Sequence, residues 1–482
     1  MLFSELLARL DVLRVQGVVD MDVVRVTRDS RQVGVGVVFV AVVGATRDGH
    51  DDAAGVAHGV VVVERAIEAQ PGVTVVEVRD TRRALAELAA AFAGDPARSM
   101  PVVGVTGTNG KTTVTTLCAE AMVRLGRSAG RVGTLGAQWP GTTLDSPLTT
   151  PEATDLHAWL ARMRADGVEA AFLEVSSAAL PRGRADALPF HTVVFTNLSR
   201  DHLDLHETME AYAQAKALLF APERLRAPGG APRALLCGDD PAWALMDPPS
   251  DRWLYGFGDS NDVRAVDVEL DGAGQKIRIV APDGVSVTVQ SPLIGRHNTL
   301  NLIAAVAVLA TLGVPWSDAA LAVGSVVSVR GRMEVVPDRH GRTIVVDYAH
   351  TPDALEVVLS TLRECSTGRI TVVFGCGGDR DPGKRPVMGA VASAMADRVI
   401  VTSDNPRSED PETIAREIVQ GVSRPVEVLL DRAAAIRSAI ERAGPGDVVL
   451  IAGKGHETQQ VLGGRTVAFD DRAVAASILE GA

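Results

Sequence analysis

Short apolar runs alternate with amphipathic stretches along most of the chain. Residues 101–105 are apolar and of strand length, and residues 113–125 repeat apolar positions at helical spacing. Upstream, residues 23–26, 37–43, 59–63 and 73–78 read as four strands, and 81–92 as a helix. Residues 1–19 carry Glu5 and Asp11 inside an apolar pattern and read as one short amphipathic helix, without the layout of a signal peptide. Downstream, 168–175 and 191–196 read as strands and 209–220 as a helix. Residues 263–290 then alternate, with turn signals at Asp271-Gly272 and Asp283-Gly284, as paired strands do. A strongly apolar helix runs to Leu312, with Asn298 placed as its N-cap.

The pattern restarts at residue 329. Strand-like runs at 343–346, 370–374, 398–402, 426–430 and 448–451 are separated by helical patterns, which is a βαβ series and a parallel sheet. The strand ends carry polar loops: Asp347 to His350, 375–384, Asp404-Asn405-Pro406-Arg407, and Gly453 to Glu457. Four polar loops on one edge of a sheet make a binding face. The Gly-Cys-Gly-Gly run at 375–378 lacks the spacing of a dinucleotide fingerprint. The restart divides the chain of 482 residues into units at 1–98, 99–329 and 330–482.

Composition narrows this picture. Hydrophobic residues make up 46% but aromatic residues only 4%, so the cores rest on Val, Ala and Leu, as α/β proteins allow. A net charge of −12 argues against a general nucleic-acid binder. Cys118, Cys237, Cys365 and Cys376 form no CxxC pair, which fits a reduced, cytoplasmic protein. No apolar stretch reaches the ~18 residues of a membrane span.

The candidate chemistry centres on Gly104-Val105-Thr106-Gly107-Thr108-Asn109-Gly110-Lys111-Thr112-Thr113. A glycine-rich turn between strand and helix aims backbone N–H groups and a helix N-terminus at one point, which suits a phosphate. Lys111 adds a mobile positive charge, and Thr112 a hydroxyl for Mg²⁺. The loop is tighter than the usual P-loop, whose first glycine would fall at position 105, here valine. Glu174 and the run Asn197 to His202 end neighbouring strands, where a metal beside the phosphates would lie. Spacing alone leaves Glu174 open between metal ligand and solvated group. Lys216, among Ala215, Ala217, Leu218 and Leu219, reads by itself as a lysine with its stem along the core and its head in water. The loops 27–31 and 44–51 carry arginines for a diphosphate or nucleotide, though their spacing fits ordinary solvated turns.

Taken jointly, Asp29-Ser30-Arg31, Gly107 to Thr113, Thr149-Thr150-Pro151, Glu174 to Ser177, Asn197 to Asp204, Gly331-Arg332-Met333-Glu334, Asp347 to Pro352, Asp404 to Arg407 and Gly453 to Glu457 resemble the Mur ligases. These are the ATP-dependent amino-acid ligases of peptidoglycan precursor synthesis. The resemblance covers nearly the whole chain and is nearest to members that add the third peptide residue. It implies three α/β domains: an N-terminal UDP-binding unit, a central P-loop-type ATPase sheet, and a C-terminal Rossmann-like unit. The implied reaction joins meso-diaminopimelate to UDP-N-acetylmuramoyl-L-alanyl-D-glutamate through an acyl phosphate, in a cytoplasmic monomer using ATP and Mg²⁺.

By the same resemblance, Arg28, Ser30, Ala45, Thr46 and Arg47 contact the UDP end. Thr149, Thr150, Ser176, Arg182 and Arg184 hold the muramoyl dipeptide. Gly107, Thr108, Asn109, Gly110, Lys111, Thr112 and Thr113 hold ATP, completed by Asn298, Asn301, Arg332 and Asp347. Thr112, Glu174 and His202 sit at the metal, with Lys216 as a carbamate, which makes an anion of a cation. Lys111, Lys216 and Arg332 carry the catalysis. Arg380, Asp404, Asn405, Pro406, Arg407, Gly453 and Glu457 receive diaminopimelate, whose second carboxylate suits an arginine fork. Ala178 stands where the family usually has His, and Arg182 where Gln is more usual. A lysine-adding ligase is opposed by Asp404 to Arg407, and a folylpolyglutamate-type ligase by Asp29-Ser30-Arg31 and the 45–47 loop. A non-catalytic nucleotide-binding scaffold is opposed by Lys111, Glu174, His202 and Lys216.

Overall fold

The computed structural model describes residues 1–44, 47–225, 233–271 and 274–481. Its strands form an N-terminal sheet of five, a central sheet of eleven, a C-terminal sheet of six and a separate two-stranded ribbon. In the first sheet, Arg25–Thr27, Val37–Val40, Val60–Val63 and Thr74–Val78 run parallel. Helix Thr81–Phe92 lays Leu85 and Leu88 against Val38, Val40, Val60 and Val62.

The expected helix over 1–19 is corrected. Only Phe3–Leu7 is helical, with Phe3 and Leu6 buried at helical spacing. Val12–Gln16 is instead an edge strand, antiparallel to Thr74–Val78. Four of its five residues are exposed, the apolar Leu13 and Val15 among them, so backbone pairing holds it and no buried face marks it.

The central sheet is built around Val102–Thr106, which lies parallel between Ala170–Glu174 and Thr192–Phe195. Side chains alternate between two cores. Val103, Val105 and Phe172 face one, and Val102, Ala171 and Leu173 face the other. Both faces are covered, so these strands read as continuous apolar runs. Arg233–Cys237 and Arg252–Gly256 extend the sheet, followed by the meander Val263–Asp271, Gly274–Val280 and Ser286–Ser291. Of the turn signalled at Asp271-Gly272, Gly272 lies outside the described residues.

Helix Arg296–Thr311 packs between the sheet and its helical neighbours, and Leu302 to Leu309 are all 0% exposed. A helix buried on all sides needs no polar face. Asn298 is not its N-cap. That place belongs to Gly295, and Asn298 sits in the first turn, its Nδ2 donating to the Ile294 carbonyl at 2.9 Å.

The C-terminal sheet runs parallel through Thr343–Asp347, Val448–Ala452, Ile370–Phe374, Arg398–Val401 and Glu427–Val428, with Glu334–Val336 antiparallel on the edge. Its polar loops follow the carboxyl ends of its strands, and they meet the loops of the central sheet across two cavities.

Candidate active site

The phosphate loop sits where the sequence places it, between strand Val102–Thr106 and helix Lys111–Arg124. Gly110 has φ +87°, and a Cβ there would lie 2.6 Å from Asn301 Oδ1. A Cβ on Gly107 would collide with Thr196. Only glycine permits this close approach. Lys111 Nζ donates to the carbonyls of Gly107 and Thr108 at 2.8 and 2.9 Å, so its charge points into the loop. Asn109 N donates to Asn197 Oδ1 at 2.9 Å, and Thr108 Oγ1 lies 3.2 Å from the Tyr212 hydroxyl. Thr113 borders the cavity beyond.

Arg332 lies just past the boundary at residue 329, in the segment that hinges the central unit to the C-terminal one, and its Nη2 donates to Thr112 Oγ1 at 3.2 Å. Its guanidinium lies over the Tyr348 ring, and its Nε is buried without a hydrogen-bond partner. Lys111 is held below its ordinary pKa, first by burial and then by Arg332, against the pull of Glu174. Two part-buried cations facing one loop repel each other, and a bound anion relieves both. The residues present therefore fit a nucleotide phosphate.

The neighbouring cavity, about 360 Å³, is bordered by Asn298, Asn301, Arg332 and Asp347. Asn301 Nδ2 donates to Asn298 Oδ1 at 3.1 Å. Asp347 accepts from the backbone of Met333 and Ala349 at 2.7 Å each, which ties the hinge to a strand end. Burial raises its pKa. His297, Leu300, Ala354, Val357 and Val358 add an apolar wall that sequence reasoning missed. They come from two helices on different units, so no single motif signals them.

Glu174 is 1% exposed and accepts from Thr112 Oγ1 at 2.9 Å, Thr134 Oγ1 at 3.0 Å and Thr134 N at 2.9 Å. A hydroxyl and a carboxylate beside the phosphate loop are hard oxygen donors of the kind Mg²⁺ prefers. Among the described residues, no three His, Cys, Asp or Glu side chains form a cluster able to hold a metal. His202 borders a second cavity and pairs with Asp201 at 3.3 Å. Lys216 is 1% exposed, its Nζ 4.2 Å from the centre of the Tyr212 ring. The reading of a lysine head in water is thus corrected. Burial and then Lys111 hold Lys216 well below its ordinary pKa, which favours the neutral amine.

The second cavity, about 350 Å³, gathers Arg380, Asp404, Asn405, Arg407, Gly453 and Glu457. Pro406 stands behind it, its carbonyl accepting from Glu409 N at 3.0 Å. Arg407 has φ +54°, and its Nη1 donates to the Gly378 carbonyl at 2.6 Å. Gly453 has φ +111°, and a Cβ there would lie 2.6 Å from Asp404 Oδ2. Glu457 Oε2 accepts from Asn405 Nδ2 and Lys454 Nζ, each at 2.8 Å. Lys454 is 0% exposed and also donates to Asn405 Oδ1 at 3.2 Å, which fixes the way that amide faces. Its loop is visible in the sequence, but its burial is not.

A third pocket joins the first unit to the central one. Arg28, Arg182 and Arg184 border it together with Glu152. Arg28 and Arg184 both pair with Glu152, at 3.3 and 2.9 Å, a counter-ion the sequence did not single out. Ser30 donates to Asp52 at 2.8 Å, and Arg47 pairs with the same carboxylate. Ala45 and Thr46 lie outside the described residues. Thr150 Oγ1 donates to the Glu174 carbonyl at 2.9 Å and accepts from Ser176 N at 3.0 Å, while Thr149 Oγ1 lies 3.2 Å from Thr134 Oγ1. The three pockets are thus linked through the ends of a few central strands.

Comparison with known proteins agrees with this arrangement. Residues 105–309 match the Mur ligase middle domain, and residues 331–455 match the Mur ligase, glutamate ligase domain. The UDP-N-acetylmuramoyl-L-alanyl-D-glutamate–2,6-diaminopimelate ligase of Parasynechococcus marenigrum is 44% identical, covering 96% of both chains. The ligase of the same name from Geobacillus kaustophilus is 43% identical, covering 94% of both. A solved structure of a ligase with that name superposes with a TM-score of 0.71 at 33% identity, over 100% of this chain and 99% of the other.

Proposed function

The chain belongs to the Mur ligase family, and from that premise we propose that it joins meso-diaminopimelate to UDP-N-acetylmuramoyl-L-alanyl-D-glutamate in peptidoglycan precursor synthesis. The observation that carries this reading is the pair of cavities. One opens on the phosphate loop, the other on Asp404 to Arg407, and Tyr348 borders both. A ligase of this kind needs its phosphate donor and its amine acceptor on either side of one reacting carboxylate.

We assign residues 1–98 to the UDP end, 99–329 to ATP and 330–482 to the amino acid. Arg28, Arg182 and Arg184 meet the anionic donor at the pocket where Glu152 now stands. Thr150 and Ser176 orient its peptide end toward Glu174. When bound, ATP supplies the phosphoryl group that activates the glutamyl carboxylate as an acyl phosphate, and Mg²⁺ offsets its charge. Thr112 and Glu174 would hold that ion, with His202 and the carbamate of Lys216 completing its surroundings. Lys111 and Arg332 stabilise the charge that develops on the transferring oxygens. Asn298 and Asn301 order the nucleotide cavity, and Asp347 keeps Arg332 on its hinge. In the second cavity, Arg407 and Arg380 take the carboxylates of the incoming amino acid, while Asp404 and Glu457 take its ammonium groups. Closure of the units excludes water from the acyl phosphate. No described helix is long and apolar enough to cross a membrane. We assign the work to the cytoplasm, where its nucleotide substrates are made, and to a monomer.

The test is phosphate release from ATP with the UDP-muramoyl dipeptide present, offering meso-diaminopimelate and L-lysine separately. Release with diaminopimelate alone supports the reading. Release with lysine at equal efficiency refutes the assignment of Arg407. No release with either refutes the ligase.

A further inference from the structure

Tyr348, His350 and Asp353 border both the nucleotide cavity and the amino-acid cavity. They follow strand Thr343–Asp347, at the junction where the two half-reactions must meet. Among the described residues, His350 is the histidine common to both cavities. His297 borders only the first and His202 only the second.

The ring of His350 is held on several sides. Its Nδ1 lies 2.8 Å from the Tyr348 carbonyl oxygen. A carbonyl only accepts, so Nδ1 carries the hydrogen and Nε2 keeps its lone pair. The Tyr348 ring lies 4.5 Å from the imidazole, and Lys384 Nζ donates to the His350 carbonyl at 2.8 Å. Tyr348 is itself clasped by Arg332 and His456. The charged and titratable groups facing His350 are therefore Lys384, Asp201, Arg332, Tyr348 and His456. Burial, then Lys384, holds its pKa below the ordinary 6.5, so the imidazole is neutral at neutral pH.

We propose that His350 takes the proton released by the incoming amine as the amide forms. This rests on the ligase reading. The amine nitrogen attacks the acyl carbon, and the C–N bond forms. The bond from that carbon to the phosphate oxygen breaks, and its electron pair leaves with inorganic phosphate. The proton shed by nitrogen passes to His350 Nε2 and from there to solvent. The nitrogen of the tetrahedral adduct is acidic, so a neutral imidazole is base enough to accept from it. His202, the other histidine on the amine side, is engaged by Asp201.

The test uses His350→Asn in the full chain. The Asn amide can still donate to the Tyr348 carbonyl but offers no base. With ATP and the UDP-muramoyl dipeptide but no amino acid, the acyl phosphate is trapped with hydroxylamine, whose nitrogen is unprotonated at neutral pH. Hydroxamate yield is expected within twofold of wild type. Amide formation with meso-diaminopimelate is expected to fall about 10²–10⁴-fold in kcat, with KM for the amino acid within a few-fold. The acid limb of the pH profile of kcat should vanish, and added imidazole should restore part of the rate. A parallel fall in hydroxamate yield overturns the proposal and makes His350 a support for the nucleotide. A rise in KM with kcat kept also overturns it. Asp353→Asn serves as control: if it removes the acid limb while His350→Asn does not, the base is Asp353. His350→Gln and thermal melting check folding. Wild-type protein that forms neither hydroxamate nor amide refutes the ligase reading itself, whereas an active wild type with an active His350→Asn refutes only this step.

Discussion

Arg407→Lys is the substitution that bears most directly on the choice of amino acid. It keeps the charge and most of the stem, and both residues bear the left-handed backbone at φ +54° alike. The arginine commits Nη1 to the Gly378 carbonyl at 2.6 Å and still has Nε and Nη2 for a carboxylate. A lysine has one head for both tasks. Holding the loop, it loses the substrate carboxylate, and holding the carboxylate, it leaves the Gly378 carbonyl without its donor. One charge-assisted hydrogen bond is worth about 1.5–3 kcal/mol. That corresponds to a fall of about 10- to 150-fold in kcat/KM for meso-diaminopimelate. L-Lysine lacks the second carboxylate, so its weak kcat/KM should change by less than about twofold. Steady-state phosphate release with each amino acid at saturating ATP reads both numbers. Equal losses with the two substrates, or no loss with diaminopimelate, would refute the carboxylate role.

Three further outcomes follow from other parts of the molecule. Lys216→Ala should lower amide formation on the order of 10²-fold or more while ATP affinity, measured by calorimetry, changes only a few-fold; lost ATP binding would make Lys216 a nucleotide ligand. Arg432 and Asp471 pair at 2.7 Å with both side chains 0% exposed, so Asp471→Ala should cost about 3–5 kcal/mol in urea unfolding. The double change Arg432→Met with Asp471→Leu should recover much of that loss, and a double mutant as unstable as the single would contradict the account. His157 is buried, and burial lowers its pKa to about 4. Its folded pKa lies below the unfolded 6.5, so the unfolded chain binds the extra proton between these values. Its contribution, about 3 kcal/mol, is therefore present at pH 7 and lost as pH falls from 6.5 toward 4. His157→Gln should flatten that part of the melting-versus-pH curve.

The sequence was most legible where one physical signal dominates. Helix Thr81–Phe92 begins and ends where its apolar spacing places it, and the structure adds Asp80 as its N-cap. The phosphate loop was legible because glycine, lysine and threonine must follow a buried strand in that order. The edge strand Val12–Gln16 was not, since neither face is buried. Lys216 misled because an amphipathic lysine and a buried one have the same neighbours in sequence. The cavity loops were legible as loops, yet the parts played by Glu152, Thr134 and Lys454 were not. Each of the three acts on a partner distant in the chain: Glu152 on Arg28, Thr134 on Glu174, and Lys454 on Asn405. Such pairings appear only when the strand ends are brought together.

The wall that Tyr348, His350 and Asp353 share between the two cavities has a bearing on inhibition. A molecule with an adenine-like group at one end and an amino-dicarboxylate at the other has only that wall to pass. Joined by a linker matched to the span, the two halves bind as one, and such avidity exceeds either half alone by about 10²–10⁴-fold. Escape by mutation is narrow as well. A change in the wall large enough to expel the linker also disturbs both cavities, so under the proposed assignment resistance at that point would come with a slower enzyme.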